Sequence, residues 1–442
     1  MEIFSNIIYY LTIITFFIML FVAIYYSIIL KFPQFHFKKL FSSLNNNSNN
    51  KNNNNSNKKQ SKRKIASLMI SLAAKIGVGT ISGIGVAIYE GGIGTIFWIW
   101  LMTLIILPNS FVESSLAVKY REKDLDYNKG GPAYYIKKGL NLKKIGILYA
   151  IILTSSYVFG FIPIQANTIS SFLTNNVTYR LIIGIILGIF SLIVVSRGLK
   201  GISEFVNMCV PIMGIMYMLI ALFIIIKNYS MLPSIFISII KDAFTIKTTF
   251  WGLLTGTIIL GMQKSIFSSE CGLGTSAIAS GTSQENNLLK EGYRQMFGVY
   301  FTIFIVCSAT SIILLTSKVN INNYINPNGV ELIKEALIEH FGPTGNILLF
   351  LTILSFAFST VIAGYYYSES NIKYIFKNCN NTILWILRIV FTILIIYGSY
   401  ASPNIIWKIV ELFLALLALI NILSIFGLRK SMKDIYLERS KK

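Results

Sequence analysis

The sequence predicts an all-α polytopic membrane protein of about 11 transmembrane helices, and three observations carry that prediction. Apolar residues make up 54% of the chain and the mean hydropathy is +0.64, a balance that water-soluble domains do not reach. Stretches of roughly 20 apolar residues, the length that crosses roughly 30 Å of hydrocarbon, recur along nearly the whole chain. They are continuous runs such as ILYAIILTSSYVFGFI, not the ten-residue polar and apolar alternation of an outer-membrane barrel.

The first apolar stretch, about Ile7 to Leu30, follows Glu2 and no basic region, is too long for a signal core, and is followed by Lys31, Lys38 and Lys39; it is expected to remain as a first span with its N-terminus outside. Residues 32–65 read as a disordered basic cytoplasmic linker, because the Asn/Ser tract from Ser42 and the Lys/Arg cluster ending at Lys64 hold too little apolar surface to fold. Further spans are expected at 66–89, 95–118, 145–170, 181–196, 204–226, 250–270, 297–317, 345–367, 382–400 and 404–427. Asn328 to Phe341, with Val330, Ile333, Leu337 and Phe341 at helical spacing, reads as a short amphipathic surface helix. Residues 429–442 form a cytoplasmic tail.

The chain carries 39 Lys and Arg against 18 Asp and Glu, a net charge of +21. The basic residues lie between apolar segments, where the positive-inside rule places them, so no nucleic-acid partner is expected and the C-terminus should be inside. Cys209, Cys271, Cys307 and Cys379 are isolated, which speaks against zinc and disulfide chemistry. His36 and His340 fall in expected loops, so a histidine proton relay is not expected. No paired carboxylates or nucleophile with a base appear in the expected membrane interior, so the chain is not read as an enzyme.

With the first span set aside, ten spans divide into two sets of five, 66–227 and 228–428, and an odd number makes the second set begin from the opposite side. That parity permits an inverted repeat. Each set opens on an unusual segment. In SLAAKIGVGTISGIGVAIYEGG, Gly77, Gly79, Gly83 and Gly85 crowd the middle of a span, at roughly 1 kcal/mol each relative to alanine. They mark either a broken helix, which frees carbonyls for a cation and amides for a carboxylate, or close packing through small residues. In GMQKSIFSSECGLGTSAIAS, Lys264 and Glu270 precede Gly272 and Gly274; charges at such depth are costly unless they pair or face water, and the two form a candidate gate pair. Glu113 and Glu369 lie near expected cytoplasmic ends, where a carboxylate can reach water.

LAAKIGVGTISGIGVAIYEGG resembles the first core helix of the alanine/glycine:cation symporter family of prokaryotes, which carries a Gly-x-Gly-Asn break. FVESSLAVKYREKD followed by GGPAYYIKKGL is similar to that family's cytoplasmic signature, IPIQANTIS to its Gln-x-Asn element, IFSSECGLGTSAIA to its FSNEAGxGSAP segment, and FAFSTVIAGYYYSE to its FAFSTxxxWxYYGE segment. The resemblance runs in order from about residue 66 to 370. It implies a leucine-transporter-like fold with one extra N-terminal helix, and sodium-coupled symport of a small neutral amino acid such as alanine or glycine across the cell membrane. It also implies a sodium ion held by Ala73, Ile76, Phe356, Ser359 and Thr360, and a substrate held near Gly77, Gly79, Thr80, Gly83, Gln165, Asn167, Phe267 and Gly364. Ser359 and Thr360 could instead bond back to the preceding turn, and Gln165 and Asn167 could be glue between helices. Thr80 stands where the family has Asn, Ser265 where glycine is usual after basic residues, Ser269 and Cys271 where Asn and Ala flank the glutamate, and Gly364 where a tryptophan stands. The last change implies an enlarged pocket and a bulkier substrate. A proton-coupled transporter and a non-transporting amino-acid sensor are the competing readings, and a channel is disfavoured because no continuous polar lining is seen. Oligomeric state is not legible.

Overall fold

The computed structural model describes residues 2–45, 54–123, 128–244, 257–324, 328–376 and 379–440, and among them the regular structure is helical. In chain order the helices are α1 (Glu2–Ile29), α2 (Phe37–Leu44), α3 (Asn54–Lys75), α4 (Ser82–Gly91), α5 (Thr95–Tyr120) and α6 (Pro132–Gly139). Then come α7 (Lys143–Ser156), which runs through a π-helical turn at Tyr157–Phe161 into α8 (Ile162–Leu173), and α9 (Val177–Ser196), α10 (Gly198–Lys227) and α11 (Leu232–Ala243). The second half holds α12 (Thr257–Ser269), α13 (Thr275–Gly281), and α14 (Leu288–Tyr300), which continues through a π-helical turn at Phe301–Cys307 into α15 (Ser308–Leu315). It ends with α16 (Gly329–Phe341), α17 (Thr344–Ile375), α18 (Asn381–Tyr400), α19 (Pro403–Gly427) and α20 (Arg429–Ser440).

Nine helical runs among the described residues are long and apolar enough to cross a membrane, and α3 with α4 makes a tenth that bends by 63° at its break. The remaining expected span, 250–270, begins outside the described residues; its described part is α12, which stops at Ser269, after which the chain resumes as α13. The second glycine-rich segment is therefore also interrupted.

Polar content decides which helices go inside. In α5, Asn109, Ser110, Glu113, Ser114 and Ser115 are all fully buried, since hydrocarbon would leave such groups unsatisfied. α9 instead presents Ile182, Ile185, Ile186, Ile189, Phe190 and Ile193 outward, the expected lipid-facing stripe. The surface helix expected at 328–341 is α16, opened by a capping box between Asn328 and Glu331. Its apolar face is buried, and it sits directly on α4, where a Cβ on Gly85 would come 2.5 Å from the Gly329 carbonyl.

The expectation of disorder across 32–65 is corrected in part. Lys31 and Phe32, both with positive φ, end α1 in a sharp turn, and α2 then packs on α14 through Leu40 and Ser43. The apolar run FPQFHFKKLF supplies the buried surface that the following Asn/Ser tract lacks. The helical backbone of α3 already begins at Asn54, while residues 46–53 lie outside the described set.

One ionic cluster ties these elements together. The fully buried Arg294 donates to Glu291 at 2.6 Å, to Glu285 at 3.3 Å and to the Ser43 carbonyl at 3.0 Å. Glu291 also accepts from Ser67 of α3 at 2.8 Å, Gln295 at 3.0 Å and Ser283 at 3.1 Å. Removing one member of a buried ion pair leaves an uncompensated charge, at a cost of about 3–5 kcal/mol. Arg294→Met is accordingly expected to lower the thermal midpoint of the detergent-solubilised protein clearly, measured by intrinsic-fluorescence melting against Lys290→Met as the comparison.

Candidate ion and substrate site at two broken helices

The first interruption follows from chain geometry. Ile76 N donates to the Leu72 carbonyl, after which Gly77 is extended and the short turn Val78–Thr80 leads into α4. A helix that stops leaves its last carbonyls without internal donors. Here those carbonyls converge on one hydroxyl of α17: Thr360 Oγ1 lies 2.9 Å from the Ala73 oxygen, 3.5 Å from those of Ala74 and Ile76, and 3.0 Å from that of Phe356. A threonine hydroxyl has one proton to donate, so at least three of these four oxygens are not satisfied by it. A focus of oxygen dipoles of this kind suits a hard cation. Ser359, next in the chain, donates to the Phe356 carbonyl at 2.9 Å and contacts the Met213 sulfur at 3.3 Å, so its hydroxyl borders the focus without joining it.

The rest of the break is held by short polar contacts. Gln165 Oε1 accepts from Val78 N at 3.1 Å, the Thr80 hydroxyl donates to the Gly77 carbonyl at 2.8 Å, and Thr310 donates to the Thr80 carbonyl at 2.8 Å. Gly77 and Gly79 are required by proximity: a Cβ on Gly77 would lie 2.5 Å from Thr360 Oγ1, and one on Gly79 would lie 2.2 Å from Phe267 Cε1. Phe267 in turn stacks on Phe161, with centroids 5.8 Å apart, and leans on Trp407 at 5.1 Å. Gly83 is buried, yet a Cβ there would meet nothing within 4 Å, so room remains beside the first turn of α4, whose amide groups point toward the break.

The second interruption, between α12 and α13, puts Glu270, Gly272 and Gly274 all at positive φ. A glutamate seldom adopts that conformation unless its surroundings fix it, and Glu270 is fixed by donors on both oxygens: Tyr157 at 3.0 Å and Thr275 at 2.8 Å. The exposed backbone is caged as well. Tyr149 donates to the Leu273 carbonyl at 2.6 Å, Asn421 to the Gly272 carbonyl at 2.9 Å, and the Gly274 amide to Glu113 at 3.1 Å.

Several expected placements are changed by this arrangement. Lys264 and Glu270 are not brought together among the described contacts. Six positions on a helix turn a side chain by about 240°, and Glu270 lies beyond the helix end, so Lys264 instead lies 5.6 Å over the Trp407 ring and lines a cleft with Glu411. Glu113 does not reach water: it is fully buried and accepts from Asn421 at 2.8 Å as well as from Gly274. Lys75, in the last turn of α3, is also buried. Asn167 turns away from the break and donates to the carbonyls of Gly398 and Ala401 at 2.9 and 2.8 Å, which makes it glue between α8 and α18. Gly364 does not open a pocket, because a Cβ there would already lie 2.6 Å from the Tyr157 ring; the tyrosine fills the volume left by the missing indole. Glu369 is paired with Lys373 at 2.5 Å. The contacts of Glu113 and Asn421 span most of the chain, and no local pattern in the sequence signals them.

Comparison with known proteins gives a consistent result. The family model described as the sodium:alanine symporter family matches residues 1–441. The chain is 34% identical over 376 residues to the amino-acid carrier protein AlsT of Bacillus subtilis, covering 85% of this chain and 80% of that one. It is 36% identical over 365 residues to GlnT of the same organism, named a probable sodium/glutamine symporter, covering 82% and 75%. Among solved structures it is similar in fold to the crystal structure of MhsT in complex with L-phenylalanine, with a TM-score of 0.61 and 13% identity over 85% of this chain and 97% of the other.

Proposed function

Because the chain belongs to the sodium:alanine symporter family, we propose that it carries a small neutral amino acid of the alanine and glycine class into the cell together with sodium, by alternating access. It is a polytopic membrane transporter and not an enzyme. The observation that carries the finer reading is the set of four main-chain oxygens within 3.5 Å of the single Thr360 hydroxyl at the α3 break. Sodium would sit among the carbonyls of Ala73, Ile76 and Phe356 with the hydroxyls of Thr360 and, after a rotamer change, Ser359. The substrate carboxylate would take amides of Gly77, Gly79 and Thr80 and of the α4 turn beside Gly83, and Phe267 would close one wall.

Alanine or glycine, and no bulkier residue, agrees with Tyr157 filling the space beside Gly364. Residues 66–227 and 228–428 would be the two inverted repeats, each opening on a broken helix, with the N-terminus outside and the C-terminus inside. Sodium bound at the break steadies the arrangement that the substrate recognises, so each ligand raises the affinity for the other by the same factor.

Uptake of labelled alanine by proteoliposomes tests this reading. An inward sodium gradient should drive accumulation above equilibrium, and equal potassium should not. Accumulation driven as well by a proton gradient alone would overturn sodium coupling, and binding without uptake under any gradient would make the protein a sensor.

A further inference from the structure

Where α1 ends, the chain builds a surface that the transport site does not use. The turn at Lys31 and Phe32, both with φ near 55°, swings the chain aside so that α2 lies against α14. The inner face of this segment is occupied: Leu40 and Ser43 are buried, His36 contacts the Tyr293 hydroxyl at 3.0 Å, and Arg294 and Lys290 hold the Ser43 and Asn45 carbonyls. The outer face is of another kind. Phe32, Phe35, Phe37 and Phe41 are each about half exposed or more, and the exposed Lys31, Lys38 and Lys39 stand among them. No acidic side chain occurs from Ile3 to Tyr89, and these three lysines make no ion pair among the described contacts. Phe17, Phe21, Ile24 and Ile28 of α1, the span that leads into this segment, are exposed as well, as expected of side chains that meet acyl chains.

We propose that this segment, Lys31 to Phe41, is a binding site for anionic phospholipid: the four rings enter the acyl boundary and the three ammonium groups take the phosphate of a negatively charged headgroup. Exposed rings and lysines interleaved along a short segment at the end of a span are the chemistry of an interfacial anchor, and charge complementarity selects anionic over zwitterionic lipid. Lipid held here would also steady α2 against α14, and hence the Arg294 cluster that reaches Ser67 on α3. The inference does not depend on which substrate or ion is carried.

Native mass spectrometry of the full-length protein, delipidated and then given equal phosphatidylglycerol and phosphatidylcholine, reads the preference directly and without transport. About 1 kcal/mol per lysine at a membrane surface corresponds to roughly fivefold each, so a preference for phosphatidylglycerol of at least about tenfold is expected. It should fall to near unity in the Lys31→Gln/Lys38→Gln/Lys39→Gln variant. It should persist in Lys137→Gln/Lys138→Gln, which removes a basic pair that neighbours Glu122 at 3.5 and 3.3 Å. Equal binding of the two lipids by the wild type, preference retained in the triple variant, or equal loss in the control would each overturn the proposal. Unchanged melting curves certify that the variants are folded.

Discussion

Replacing Thr360 with valine is expected to raise the sodium concentration for half-maximal alanine uptake by at least about tenfold. Valine keeps the branched shape and removes only the hydroxyl, so packing in α17 is preserved while the one side-chain oxygen at the centre of the carbonyl focus is lost. Hydrogen bonds and polar contacts to charged groups are worth about 1.5–3 kcal/mol, which converts to roughly 10-fold to 150-fold in affinity. The loss has a second part. Whichever carbonyl takes the single hydroxyl proton when sodium is absent, Ala73 at 2.9 Å or Phe356 at 3.0 Å, loses its donor, which destabilises the empty site and offsets some of the effect. Thr360→Ser retains the oxygen and should stay within about threefold of the wild type. Ser359→Ala tests the neighbouring group, and because its hydroxyl is engaged with the Phe356 carbonyl of its own helix and borders the focus without joining it, its effect should be smaller than that of Thr360→Val. A Thr360→Val protein with unaltered sodium dependence would remove the ion from this site.

How much of this arrangement the sequence disclosed depends on whether the signal was local. Gly77 and Gly79 announced the first break because glycine inside a span has a helix cost that something must explain, and Gly272 and Gly274 announced the second. Spans were legible for the same reason: hydropathy is summed along one segment. Partners were not. Lys264 and Glu270 look paired on paper, but helical rotation and the end of α12 send them to different neighbours. Glu113 looked solvated because it stands near a helix end, whereas Gly274 and Asn421, far along the chain, bury it. The missing indole at Gly364 suggested a void that Tyr157 fills from another helix. The aromatic run that makes α2 adjoins the Asn/Ser tract, whose low complexity dominates the composition of 32–65 and masks the short helix. Each of these depends on which helices become adjacent, and composition carries no record of adjacency.

Gly79→Ala should abolish most substrate-dependent uptake, and a second substitution should restore part of it. The alanine Cβ would fall 2.2 Å from Phe267 Cε1 and 2.6 Å from Cδ1, far inside van der Waals contact. A ring at the end of a flexible side chain can often move, but this one stacks on Phe161 and abuts Trp407, so the break itself must shift. Overpacking of this kind costs about 1–3 kcal/mol, and a shift of the 76–80 backbone displaces both the carbonyl focus and the amides proposed for the substrate. Uptake at subsaturating alanine should therefore drop by at least about tenfold. Shortening the obstacle in Gly79→Ala/Phe267→Leu gives the methyl group room, so the double variant should outperform Gly79→Ala alone even though Phe267→Leu by itself lowers uptake. That sign reversal is the signature of two residues in direct contact. Additive losses would mean that the ring and the glycine do not meet during transport, and the wall assigned to Phe267 would have to be sought elsewhere.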